Sequence, residues 1–490
     1  MRAVIVGAGF GGLSVAALLA KKGFDVTVIE KNEQPGGRAS VYRENGFTFD
    51  MGPSWYLMPD VFERFFAEFD RRPEDFFRLV RLDPSYRVFF GGEETVDVSA
   101  DLEKNYALFD SFEPGGAEKL KEYLRESGEK YDLTMSDLLY RDYRTILDLF
   151  DRRLLLEGMK LNPFESLETL VRNHFESDEA RKIVQYAIGF LGGSPRNTPS
   201  FYQIMSHIDL TMGVWYPEGG IRAVVQALVS LGRELGVEYR YNEPVTAIDV
   251  EHKTARRVVT PAGSYDADIV AVNADYPFAE LNLLGKDTRS YSASYWEKKV
   301  LAPSAFVAYL GVNREVASLV HHNLFLEQDW EDSFEAIFDP AKAAWPSHPS
   351  FYVNVPSRTD PTAAPEGTDT LFLLAPLAPG LEDTPALREQ FYQLLMNRLE
   401  EILGENIRDS VVVKRIFALS DFAERYNAYK GTALGLTHTL WQTALWRPAH
   451  RSKHIGNLYY TGQYTHPGIG VPMTLISSQI VAREVTNQYR

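Results

Sequence analysis

Three glycines set the terms on which this chain folds. In "RAVIVGAGFGGLSVAALLAKKGFDVTVIEK", a short apolar run from Ala3 to Val6 reads as a buried parallel strand and leads straight into Gly7, Gly9 and Gly12, spaced G-x-G-x-x-G. An amphipathic helix to about Lys22 is expected next, stopped by Gly23. A second apolar run, Val26 to Ile29, ends in Glu30, 18 residues after Gly12, with Lys31 following. Strand, turn, helix, strand and terminal acid in this register define a dinucleotide-binding unit. Gly7 makes the tight turn, Gly9 lets backbone approach a diphosphate, Gly12 lets helix pack on strand, and Glu30 is placed to accept from ribose hydroxyls. The helix N-terminus adds unpaired N–H groups and a partial positive charge where a diphosphate would sit.

The residues after the second strand narrow the nucleotide. "QPGGRAS" supplies Gly36, Gly37 and Arg38, and "GFTFDMGPSWY" supplies Gly52, Pro53 and Ser54. An enzyme that retains a flavin needs glycines to admit backbone to the ring and a fixed guanidinium to offset diphosphate charge. Near the C-terminus, "NLYYTGQYTHPGIGVPMTLISSQIVAREV" reads as a strand to Thr461, a glycine loop from Gly462 to Gly470, and a helix with Pro472 in its first turn. That brings a second helix N-terminus, with the backbone of Val471 and Met473, against the ring, where it would stabilise negative charge.

The order GxGxxG, Glu, GGR, GFxFDxGPS and the C-terminal "TGQYTHPGIGVPM" resembles the phytoene desaturase family of carotenoid desaturases, within the flavin amine oxidase group. The likeness spans nearly the whole chain and implies FAD as cofactor. It also implies that the backbone at Val245 touches the adenine. Where many members carry a version like "GAGTHPGAGIPG", this chain has Gln463, Tyr464 and Met473 in place of small residues. That bulk would reshape the end of a substrate tunnel.

The expected fold is α/β: a Rossmann-like FAD-binding domain from residues 1–75, 213–290 and 416–490, a mixed-sheet substrate domain from 76–99 and 291–415, and a helical, membrane- or substrate-facing insert at 100–212. The third FAD segment closes the first, and "DIVAVNAD" supplies a buried strand ending at Asn273 in the second. A helix is expected at Ile221 to Leu235, with the strand after it leading to Val245. In the substrate domain Tyr309, Phe351 and Phe372 are candidates to face a pocket. In the insert, Ile146, Leu147, Phe150, Leu154 and Leu155 share one helical face, with Arg152 and Arg153 beside it, a pattern that fits either core packing or a lipid interface.

Composition excludes several functions. The 490 residues carry a net charge of −16, which argues against nucleic acid and against a polybasic anchor on anionic lipid. Cysteine is absent, so disulfides, thiolate nucleophiles and cysteine metal sites are ruled out. No leader peptide is expected, since the first strand begins at once, and no run reaches the roughly 18 apolar residues of a membrane span. A cytoplasmic protein touching the membrane at its surface follows.

A polyene substrate loses hydride at an allylic carbon, leaving a delocalised cation that is itself acidic, so a strongly perturbed base is not needed. Accordingly no Ser-His-Asp pattern, metal-spaced histidines or carboxylate pair stands out. Candidates for acid–base work near the substrate are Asp151 and Arg152, with Asp148 beside them, in the insert, and His466 in "THPG" is the candidate catalytic residue near the flavin. Three activities stay open: desaturation of a long apolar carotenoid (phytoene, or a later intermediate in a 3,4-desaturation) with O₂ or a quinone as electron acceptor; redox-neutral carotenoid isomerisation; and lipid carriage without chemistry by an escort protein of the same fold.

Overall fold

The computed structural model describes residues 1–91, 94–136, 138–143, 165–326, 330–339 and 341–489, without the side chains of 330–333. Among them, five parallel strands form the sheet that carries the glycine turn. Their order is Leu458–Tyr460, Ile269–Val272, Arg2–Val6, Asp25–Ile29 and Glu238–Arg240. The central runs of Val, Ile, Ala and Tyr are buried on both faces, as parallel strands covered by helices must be. The sheet thus draws on both ends and the middle of the chain.

The first helix, Phe10–Lys21, departs from the expected amphipathic pattern: every residue from Phe10 to Leu19 is buried. It is wedged between Ile221–Glu234 and the last helix, Val471–Gln488, so two of its faces have partners. Helix Ile221–Glu234 starts at Gly220 with no side-chain cap of its own. Asp50, at the end of strand Phe47–Asp50, caps it from afar, accepting from the N–H of Ile221 (2.7 Å) and Arg222 (3.2 Å). After the short strand Glu238–Arg240 the backbone runs irregularly through Val245.

A second, mixed sheet has seven strands, in the order Val411–Phe417, Ser304–Val312, Asp369–Leu377, Phe351–Asn354, His322–Leu326, Tyr86–Phe90 and Thr95–Val98. Only the pairing of His322–Leu326 with Tyr86–Phe90 is parallel. Side-chain alternation divides it cleanly. Ala305, Val307 and Tyr309 face the main core, whereas Phe306, Ala308 and Leu310 pack under helix Pro385–Leu403. The same period corrects one expectation: Phe351 points to the helix side, stacked on Phe325 at 4.4 Å, and Tyr352 takes the opposite face. Tyr309 stays in the core, its hydroxyl donating to the Met51 carbonyl (2.8 Å), and Phe372 reaches the cavity.

Helices Leu102–Phe112, Gly116–Ser136, Leu167–His174 and Asp178–Gln185 lie between two strands of the mixed sheet and the return to the first domain. Three start on side-chain caps: Asp101 accepts from Glu103 N–H, Ser166 from Thr169 N–H and Ser177 from Ala180 N–H. The face built on Ile146, Leu147, Phe150, Leu154 and Leu155, with Arg152 and Arg153, lies outside the described residues. Among those described, no helix is long and apolar enough to cross a membrane.

Asp209 is a buried carboxyl in this region. Its Oδ2 accepts from the Tyr86 hydroxyl (2.8 Å), and its Oδ1 is buried without a partner. Burial pushes its pKa up to about 7, so the folded state holds a proton that the unfolded chain releases near pH 4. The associated stability is complete below about pH 4 and is lost as the pH rises through about 7. Urea unfolding of wild type and Asp209→Asn across that window should show the variant gaining on wild type, by up to about 4 kcal/mol. A constant difference would mean Asp209 is not perturbed.

Candidate active site

Backbone contacts close the glycine turn. Gly7, at φ +98°, donates its N–H to the Ile29 carbonyl (2.8 Å), and a Cβ on Gly12 would fall 1.9 Å from the Gly7 oxygen. Helix Phe10–Lys21 begins at Gly9 with no side-chain cap, which leaves its first N–H groups directed out of the turn. Helix Val471–Gln488 likewise begins at Gly470 with no side-chain cap. Asn273 joins the two ends of the chain: its Nδ2 donates to the Thr461 carbonyl (3.1 Å), while a Cβ on Gly9, Gly11 or Gly462 would lie 2.7, 2.5 or 2.8 Å from its amide. The Ser478 hydroxyl adds a bond from the last helix to the Gly11 carbonyl (3.0 Å).

Both helix starts open on a cavity of about 950 Å³. Gly7, Gly9, Glu30, Lys31, Gly37, Arg38, Gly52, Pro53, Ser54, Val245 and Asn273 line it, together with Gly462, His466, Gly470, Val471, Pro472 and Met473. Gly12 lies behind the turn, in the packing position expected of it. Much of the rest of the lining is apolar, with Trp55, Phe190, Phe201, Ile204 and Met205 among it. Trp55 stacks on His322 at 4.0 Å and meets Phe190 at 5.2 Å.

A profile of the family described as flavin-containing amine oxidoreductase matches residues 10–486. The chain belongs to that family. Among curated relatives of this flavin-containing oxidoreductase, a carotenoid 3,4-desaturase of Haloarcula japonica is 47% identical over 98% of this chain and 96% of its own. A zeta-carotene-forming phytoene desaturase of Myxococcus xanthus is 34% identical, over 99% and 93%. An oxidoreductase structure from Methanosarcina mazei superposes with a TM-score of 0.64 at 19% identity, covering 99% and 100%, and so shares the fold. Family membership carries a flavin cofactor, in agreement with the FAD expected from the sequence.

The lining of the oxidoreductase suits a flavin dinucleotide. Arg38 donates to the Thr432 carbonyl (3.3 Å), its Nε is buried without a partner, and its guanidinium lies over the Tyr426 ring. It therefore has donors to spare for an anion. Gly37 sits at φ +58°, where a Cβ would lie 3.3 Å from Gly9 Cα, and a Cβ on Gly52 would lie 2.6 Å from the Arg38 carbonyl. Glu30 also braces the turn. Its Oε2 accepts from Ala8 N–H (2.8 Å) and its Oε1 from the Asn32 N–H and side chain (2.8 and 2.9 Å). Burial raises its pKa despite those bonds. It also lines the cavity. Lys31 is drawn away to the Glu424 carbonyl (2.6 Å) and Asn427 Oδ1 (3.1 Å).

His466 reaches the cavity, but in a restricted state. Its Nε2 donates to the Leu139 carbonyl (3.1 Å), which leaves Nδ1 as a buried acceptor without a partner. Burial first, then the neighbouring His450, push its pKa down to about 3. It is neutral at working pH, and its Nδ1 can accept a hydrogen bond but not donate one. Asp151 and Arg152, with Asp148, lie outside the described residues.

Sequence reasoning singled out Tyr464 but passed over Asp275, which holds it. Asp275 follows Asn273 by two residues, lines the cavity, and accepts from the Tyr464 hydroxyl (2.8 Å). Burial raises its pKa to about 6, against the pull of Arg38. The Tyr464 that departs from the family pattern is thus fixed by a carboxyl from another strand end. In sequence the only hint is Asp before Tyr-Pro, which reads as a helix cap; Asp275 does also accept from Phe278 N–H (3.2 Å).

Proposed function

We propose that this chain is an FAD-dependent carotenoid desaturase that introduces a double bond into a long apolar polyene. One observation supports this above the rest: a single cavity is lined by two uncapped helix N-termini and Arg38 and also by aromatic and aliphatic side chains. The bound flavin supplies an acceptor for two electrons and one proton, in the form of a hydride. Glycines 7, 9, 37 and 52 let backbone approach the nucleotide, and Arg38 balances its diphosphate. The first turn of helix Val471–Gln488 stabilises negative charge on the ring. Trp55, Phe190, Phe201 and Met205 hold the polyene and exclude water, which keeps the allylic carbon in position. The vicinal proton leaves to a water or carboxylate; His466, its pKa pushed down to about 3, offers Nδ1 as a hydrogen-bond acceptor and not as the base. Electrons pass on to O₂ or a quinone, and the protein meets the membrane from the cytoplasmic side, where its substrate dissolves.

The 47% identity to the Haloarcula enzyme, against 34% to the Myxococcus enzyme, favours 3,4-desaturation of an already conjugated carotenoid over the first steps on phytoene. The bulk of Gln463, Tyr464 and Met473 at the cavity agrees with a different fit there. The test is expression in two bacterial hosts, one accumulating phytoene and one lycopene. A longer-wavelength pigment in the lycopene host alone is the expected result. Colour from phytoene alone would return the chain to the phytoene type, and geometric isomers alone would make it an isomerase. Unchanged pigment in both would remove the proposal.

A further inference from the structure

Val300, Trp441 and Trp446 are exposed apolar side chains next to the cavity lining at Thr443. Trp441 is 68% exposed, Trp446 42% and Val300 46%, high values for side chains this apolar; Met1 and Val412 are the other large apolar groups so exposed among the described residues. Val300 and the two tryptophans are one patch. The two tryptophan rings meet at 5.6 Å, and the Gln442 side chain ties Val300 to them, accepting from Val300 N–H (3.0 Å) and donating to its carbonyl (2.8 Å). Thr443, between the two tryptophans in sequence, lines the cavity alongside Phe201, Tyr202 and His438. The patch therefore lies on the outer side of the cavity lining at Thr443.

Charge separates this surface from the rest of an acidic chain. Lys298 is exposed and Lys299 half-buried, its ammonium 4.7 Å from the Tyr295 ring. The adjoining Glu297 is paired with Lys430 (2.8 Å) and Tyr429 (2.7 Å). Paired tryptophans beside lysines are the chemistry of a membrane–water interface: indoles at headgroup depth, ammonium groups on lipid phosphates. We infer that Val300, Trp441 and Trp446, rimmed by Lys298 and Lys299, are the surface by which this protein docks on a bilayer containing anionic phospholipid, placing the cavity lining at Thr443 toward the acyl chains. The inference rests on the reading of a membrane-dissolved substrate and names where it enters.

The test is flotation of the holoenzyme with vesicles of phosphatidylcholine and phosphatidylglycerol, with pure phosphatidylcholine vesicles alongside. Wild type should float with the mixed vesicles. Trp441→Ala with Trp446→Ala should partition roughly tenfold less or worse, the loss expected for withdrawing two indoles from burial. Lys298→Glu with Lys299→Glu should lose the preference for the anionic lipid. Both double variants should keep full flavin content and turn over detergent-dispersed carotenoid as wild type does. Flotation of the tryptophan variant equal to wild type would overturn the inference. So would absence of wild-type flotation, including the case where the tryptophans instead hold together two copies of the chain. Flotation that depends on the tryptophans, without any carotenoid turnover, would leave the docking surface standing and remove the desaturase reading.

Discussion

Gly9→Val protein is expected to purify without flavin and to bind added FAD at least about 100-fold more weakly than wild type. The new side chain begins with a Cβ only 2.7 Å from Asn273 Oδ1, and its methyl groups fill the space in front of an uncapped helix start. Overpacking at such a contact costs roughly 1–3 kcal/mol, and exclusion of the diphosphate adds to it. Titration of the apoprotein with FAD, followed by flavin fluorescence, gives the ratio. Far-ultraviolet dichroism should stay near wild type, because Gly9 faces the cavity. Gly12 is different: it is buried, a Cβ there would lie 1.9 Å from the Gly7 oxygen, and a valine should prevent folding. Unchanged FAD affinity in Gly9→Val would mean that the nucleotide lies elsewhere.

Arg38→Ala should weaken FAD binding by about 10- to 100-fold, in line with about 1.5–3 kcal/mol for a hydrogen bond to a charged group. Arg38 has spare donors, a buried Nε and a backbone carbonyl as its hydrogen-bond partner, which is the profile of a guanidinium waiting for an anion. Its removal also takes away the charge that opposes the rise in Asp275's pKa, so that carboxyl should titrate higher in the variant. Arg38→Lys should recover only part of the affinity, since an ammonium lacks the planar fork. If Arg38→Ala binds FAD as wild type does, the guanidinium serves the Tyr426 and Thr432 side of the loop and not the cofactor.

Local rules made much of this legible. The first strand, the glycine turn, the helix starting at Ile221 and the Pro472 helix follow from periodicity and end signals within a few residues, and the structure places them as expected. What escaped depends on residues far apart in the chain. Asp50 caps a helix 171 positions away, and nothing near Gly220 announces it. Asn273 looks like the end of a strand, yet it is the point where Gly9, Gly11 and Gly462 converge. Phe351 and Tyr352 are adjacent aromatics, and only the register against Phe372 and Leu374 decides which one faces the cavity. The environment of His466, which fixes its tautomer, comes from Leu139, 327 residues distant.

In the proposed reaction the two ends of the chain enclose a flavin that takes hydride from a polyene lying in the same cavity. Anaerobic mixing of the holoenzyme with a lycopene-type carotenoid in vesicles, followed in the visible spectrum, tests it in one trace. Loss of oxidised-flavin absorbance matched mole for mole by a polyene band moving to longer wavelength is the predicted result. A polyene spectrum that shifts while the flavin stays oxidised, or a flavin that never responds, would contradict it.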